Sequence, residues 1–127
     1  YVFLPHFDQV VQSDVVAAAY AVNAPCRVHP LAAQKGDAQS AGPFLQTTSR
    51  SLVVESVKKA EKSGHRIVRL YEAHNSRGVA TLHSSVPVKR AWLCDMEETP
   101  LNELEVSDGA VQIGYLPFEI LTIALEQ

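Results

Sequence analysis

The residues Arg69, Tyr71, Glu72 and His74 place a cation, a phenol, a carboxylate and an imidazole within six positions of an otherwise apolar run. Such a set could perform acid–base chemistry if its members converged. In a strand, successive side chains point to opposite faces, so Arg69, Tyr71 and Ala73 share one face and Leu70, Glu72 and His74 the other. Val68 and Leu70 mark the second face as at least partly buried. A carboxylate beside that face must be paired, lie at an edge or meet another domain, which makes Glu72 the residue of interest.

Other groups fare no better as catalysts. The histidines His6, His29, His65, His74 and His83 are scattered without the HxH or HExxH spacing of a metal site, so no metal is expected on them. Glu97–Glu98 and Glu103 with Glu105 could be imagined as the paired carboxylates of a glycosidase. Adjacent strand residues diverge, and the second pair lies on the polar side of an alternating pattern, so a solvated face is expected. Ser49, Ser51, Ser84 and Ser85 lack a GxSxG elbow or a neighbouring base. Trp92, the sole tryptophan, could stack on a sugar, but it alternates in step with Cys94, which favours a core or interdomain position. No catalytic residue is assigned.

The elements that must carry these residues follow from periodicity. Ser13 as N-cap, with Asp14 in the first turn, opens a short helix in which Val15, Ala18, Ala19 and Val22 form a narrow apolar face for packing. Asn23-Ala24-Pro25 ends it. Residues 31–43, rich in Gly, Pro and small side chains, predict an exposed loop. From Phe44 the period becomes two. Strands are expected at 52–57, 67–73, 79–83, 88–95 and 118–125, with alternation at 103–107 and again at 111, 113 and 115. Ser63-Gly64 marks a turn, residues 75–78 a four-residue hairpin loop, and Asp108-Gly109 a two-residue hairpin. The last strand is apolar on both faces and so central or covered. The prediction is an all-β, antiparallel β-sandwich with one short helix near the N-terminus.

Composition bounds the function classes. The 127 residues are 46% hydrophobic and 20% charged, with a net charge of −3, ordinary for one folded domain. No basic stripe could follow a phosphate backbone, so nucleic acid is not an expected partner. The longest apolar run, Val15 to Val22, falls far short of the roughly 20 residues that cross a bilayer, so no membrane association is expected. The opening Tyr1-Val2-Phe3-Leu4-Pro5 is strand-like and lacks a methionine, which suggests a piece of a longer polypeptide. Cys26 and Cys94 form no CxxC and are expected as buried free thiols, with a long-range disulfide as the alternative.

The combination carries more than its parts. Tyr1 to His6, Asp14 to Tyr20, Asn23-Ala24-Pro25, Val53 to Glu61, Ile67 to Glu72, Ala91 to Glu98 and Pro100 to Leu125, in this order and spacing, resemble the carboxy-terminal end of glycoside hydrolase family 38 α-mannosidases of the bacterial and cytosolic type. The pairing of Ile67-Val68-Arg69-Leu70-Tyr71-Glu72 with Pro117-Phe118-Glu119-Ile120 is the most specific part, and the likeness covers nearly the whole chain, least over residues 31–42. The resemblance implies that residues 1–127 are a single C-terminal β-sandwich domain of a larger enzyme. That enzyme would hydrolyse terminal α-linked mannose with retention. Its zinc and its aspartate nucleophile would belong to a catalytic domain outside this chain, leaving no cofactor here. Arg69, Tyr71, Glu72 and Trp92 then become structural or interdomain candidates, with the upstream domains as partners, an α-mannoside as substrate of the intact enzyme, and the cytoplasm as location. An autonomous carbohydrate-binding module or an oligomerisation domain is the alternative.

Overall fold

Alternation of apolar and polar residues builds two antiparallel sheets in the second of two units, Tyr1–Ser40 and Ala41–Gln127. The computed structural model describes residues 2–7, 9–10, 13–30, 32 and 42–127. The loop expected over 31–43 lies largely outside the described residues.

In the first unit, helix α1 spans Val15–Asn23 and begins one residue later than expected. The Ser13 hydroxyl donates to the Val10 carbonyl at 2.9 Å, closing the preceding turn, and Asp14 takes the N-cap position. The Ala24 N–H and the Asn23 side chain close the far end on the Tyr20 and Ala19 carbonyls, each at 2.8 Å. None of the helical residues is buried, and Val15, Val16 and Ala18 of its apolar positions are half-buried. Residues 2–7 form no strand, despite their strand-like composition. No helix among the described residues is long and apolar enough to cross a membrane.

In the second unit the strands are Leu45–Thr47 (β1), Leu52–Lys59 (β2), Arg66–Glu72 (β3), Gly78–Ser84 (β4), Arg90–Cys94 (β5), Pro100–Leu104 (β6), Val106–Ser107 (β7), Ala110–Tyr115 (β8) and Ile120–Glu126 (β9). One sheet has the order β1-β4-β8-β7 and the other β2-β3-β9-β5-β6. The all-β sandwich expected from the sequence is what the chain forms. β2 runs on through Lys58 and Lys59 because they pair with Ile67 and Arg66, and strand pairing overrides the helical propensity of that segment. Asp108 and Gly109 take φ of 51° and 75°, as a tight hairpin turn requires, and Ser107 pairs with Ala110 across it.

Two local readings are corrected by the topology. β3 and β4 are not a hairpin: β3 is flanked by β2 and β9, whereas β4 is flanked by β1 and β8. Residues 73–77 therefore cross between the sheets. Likewise, 103–107 is not one strand. Leu104 pairs with Ala91 in the five-stranded sheet and Val106 with Val111 in the other, so the chain changes sheets at Glu105.

The main core lies between the sheets. Val68, Leu70, Leu121, Ile123 and Leu125 meet Ala80, Leu82, Val111 and Ile113, each large side chain contributing roughly 1.5–3 kcal/mol by leaving water. Leu121 to Leu125 are all buried, in keeping with the central place of β9. A second cluster, Ala60, Ile67, Cys94 and Ala124 with Trp92 packed against it, lies on the outer face of the five-stranded sheet. The register also sets Val53, Tyr71 and Ile120 in one row across that face.

Candidate functional site

Glu72 ends β3 on the inward face and is 2% exposed. Its Oε1 accepts hydrogen bonds from the His74 N–H at 2.9 Å and the Ser76 hydroxyl at 2.8 Å. Its Oε2 accepts from the Phe118 N–H at 2.9 Å, and its own N–H donates to the Glu119 carbonyl at 2.9 Å. One carboxylate thus ties the β3–β4 crossing to the β8–β9 connection. Burial alone would push its pKa up, but the bonds from Phe118, His74 and Ser76 outweigh that and lower it to about 2. A general acid requires the opposite shift, and a nucleophile requires an open oxygen that Glu72 does not have.

Arg69 and Tyr71 lie on the other face, as alternation requires. The Arg69 Nη2 donates to the Met96 carbonyl at 3.1 Å, while its Nε is buried with no hydrogen-bond partner among the described residues. Arg69 and Glu72 are therefore not partners of each other. Trp92 is half-buried; its ring stacks on the His65 imidazole at 5.0 Å and 16°, and the Arg90 guanidinium lies 4.8 Å from its centroid. Arg90 in turn grips both Glu103 carboxylate oxygens, at 2.8 and 3.1 Å. A sugar would have to displace these groups to use the indole as a platform. The four candidates do not converge.

Glu98 and Glu103 are tied down as well. Lys58 Nζ reaches Glu61 at 2.7 Å and Glu98 at 2.8 Å, and the other Glu98 oxygen accepts from the Glu61 N–H. The hydrogen bond from Lys58 holds Glu98 below the usual carboxylate range, and the one from Arg90 does the same for Glu103. Neither carboxylate is poised to carry a proton near neutrality. Among the described residues no three His, Cys, Asp or Glu side chains gather to hold a metal ion. The Ser49 hydroxyl bonds the Tyr115 hydroxyl at 3.0 Å, and the Ser84 hydroxyl accepts from Gln127 and the Val86 N–H. Cys94 is buried and free, its thiol pushed up by burial, whereas Cys26 is free but exposed rather than buried.

What the sequence reading missed lies at the β8–β9 connection. Phe118 has a φ of 56°, in the left-handed region, and its side chain is 66% exposed. Glu119 Oε2 accepts from the Leu116 N–H at 2.7 Å, which closes the turn. The signal was present, since this Pro-Phe-Glu-Ile segment was half of the most specific motif, but nothing local shows that its backbone is held by a residue of β3.

The profile of the family described as "Glycosyl hydrolases family 38 C-terminal beta sandwich domain" matches residues 51–123. Over 130 aligned residues the chain is 36% identical to Alpha-mannosidase 2C1 of Homo sapiens and 32% identical to Alpha-mannosidase 2C1 of Mus musculus. Each alignment covers 98% of this chain but 12% of the relative, so the chain spans about one-eighth of the length of the curated relatives it matches.

Proposed function

Since the chain belongs to the family of glycosyl hydrolase family 38 C-terminal β-sandwich domains, we propose that it is a non-catalytic accessory part of an α-mannosidase, docked on and stabilising the upstream domains of the same polypeptide. The parent enzyme hydrolyses terminal α-linked mannose with retention, through a covalent glycosyl-enzyme intermediate. Its nucleophile and zinc lie outside this chain. The cytoplasm is its place of work, by likeness to the cytosolic members.

The observation that carries the reading is the commitment of Glu72. It is a deeply buried carboxylate whose two oxygens both accept from backbone or hydroxyl donors of the domain itself, an arrangement suited to holding loops. The hydrogen-bonded pairs Lys58–Glu98 and Arg90–Glu103 support the same view. The carbohydrate-binding alternative would need an open aromatic platform, and Trp92 is already stacked. The test is an assay of the purified 127-residue chain with an aryl α-mannoside and a zinc determination. The expected result is no hydrolysis and no stoichiometric zinc. Turnover that survives further purification overturns the proposal.

A further inference from the structure

Four large apolar side chains stand exposed around one end of the sandwich: Leu116 (57%), Phe118 (66%), Ile120 (60%) and Met96 (60%). The first three come from the β8–β9 connection and the start of β9. Met96 lies at the same end: it follows Cys94, which pairs with Thr122 of β9, and its carbonyl accepts from Nη2 of Arg69, which pairs with Thr122 from the other side. Single exposed apolar residues are ordinary; a ridge of four is the mark of a contact surface.

Phe118 sharpens the point. A φ of 56° is costly for a bulky residue, and the Glu72 carboxylate holds its N–H there at 2.9 Å. Within the described residues the ring gains little burial from this. A strained backbone that projects an aromatic side chain outward is explained if the ring is buried elsewhere.

We infer that this ridge, Leu116, Phe118, Ile120 and Met96, is the surface by which the domain seats on the rest of a full-length family 38 enzyme. The inference rests on the accessory-domain reading and gives it a contact surface. The occupant is argued from length: the chain accounts for 12% of its matched relatives, and its family is described as a C-terminal domain. The large remainder of the same polypeptide is the body that would cover the ridge.

Met96, the only methionine of this chain, reports on the ridge through its oxidation by peroxide, read by mass spectrometry in the full-length enzyme that carries this sandwich. If the ridge is covered, Met96 oxidises at least about tenfold more slowly in the native enzyme than in urea-unfolded enzyme. Phe118→Gly should remove most of that protection. The backbone angle at Phe118 is one that glycine adopts freely, so the variant keeps its fold. Val86→Asp is the control: the Val86 carbonyl is held by Gln127, beyond the other end of β9, and protection there should stay within about twofold of the parent.

Met96 oxidised as fast in the native enzyme as in the unfolded one overturns the inference, as does a Phe118→Gly variant that keeps full protection. Protection that appears only when the enzyme's mass doubles assigns the ridge to a second copy and overturns the named occupant. The accessory-domain reading fails by a separate readout: hydrolysis by the 127-residue chain, whatever the state of Met96.

Discussion

The Glu72 carboxylate holds the Phe118 N–H at 2.9 Å across 46 positions of sequence. The first residue closes an inward strand face and the second stands at an outward turn, so a single hydrogen bond joins the core to the exposed apolar ridge. The same carboxylate anchors His74 and Ser76, which makes Glu72 the point where the β3–β4 crossing and the β8–β9 connection meet.

Glu72→Gln should therefore be costly although it is nearly isosteric. A carboxylate accepts on both oxygens, whereas an amide must turn an NH₂ group toward one of the donors and leave that pair unsatisfied. The expected loss is about 1–3 kcal/mol, read as a lower urea midpoint of the 127-residue chain. A midpoint equal to that of the parent would contradict the role assigned to the three hydrogen bonds.

The pH dependence has a definite sign. The folded pKa of Glu72, about 2, lies below its ordinary value of 4.5, so the folded state favours the ionised form. Its contribution to stability is fully present above about 4.5 and is lost as the pH falls from there toward 2. The stability difference between the parent and Glu72→Gln should therefore shrink on acidification through that window. A difference that grows there would reverse the assignment.

Two glycines should respond in opposite ways. Gly109 has a φ of 75° in the β7–β8 turn, where a side chain is strained although the space beside it is open to ordinary contact. Gly109→Ala should destabilise by about 1 kcal/mol. Gly114 lies within β8 with nothing within 4 Å of an added Cβ, so Gly114→Ala should be neutral or slightly stabilising. Thermal melts of the two variants decide it.

The two thiols should differ in reactivity. Cys26 is exposed and free, whereas Cys94 is 5% exposed with its thiol pushed up by burial. A disulfide reagent should consume one thiol per folded chain promptly and the second only on unfolding. Rapid modification of both would contradict the packing of Cys94 against Ile67 and Ala124.

Much of this fold is legible locally. Val111, Ile113 and Tyr115 alternate after Asp108-Gly109 and form the strand and turn they suggest, and the doubly apolar run ending at Leu125 is the central strand. Sheet membership is not legible, because period-two alternation does not say which neighbour a strand pairs with. That is why β3 and β4 read as a hairpin and 103–107 as one strand. The division of Arg69 and Tyr71 from Glu72 follows from alternation alone. The partners of Glu72 do not: its inward face was visible, but Phe118 is brought to it only by the β3–β9 register. The Ser13 cap is displaced for a local reason: the helix begins one residue later, with Asp14 at the N-cap position, and Ser13 belongs to the preceding turn, where its hydroxyl donates to the Val10 carbonyl.

The central claim is that this domain carries structure and not chemistry, and Glu72→Gln in the full-length enzyme tests it most directly. The account predicts a folded variant with turnover of an aryl α-mannoside within about twofold of the parent at moderate temperature and inactivation at a lower temperature. A folded variant, of undiminished thermal stability, with turnover abolished would contradict it and return Glu72 to the active site.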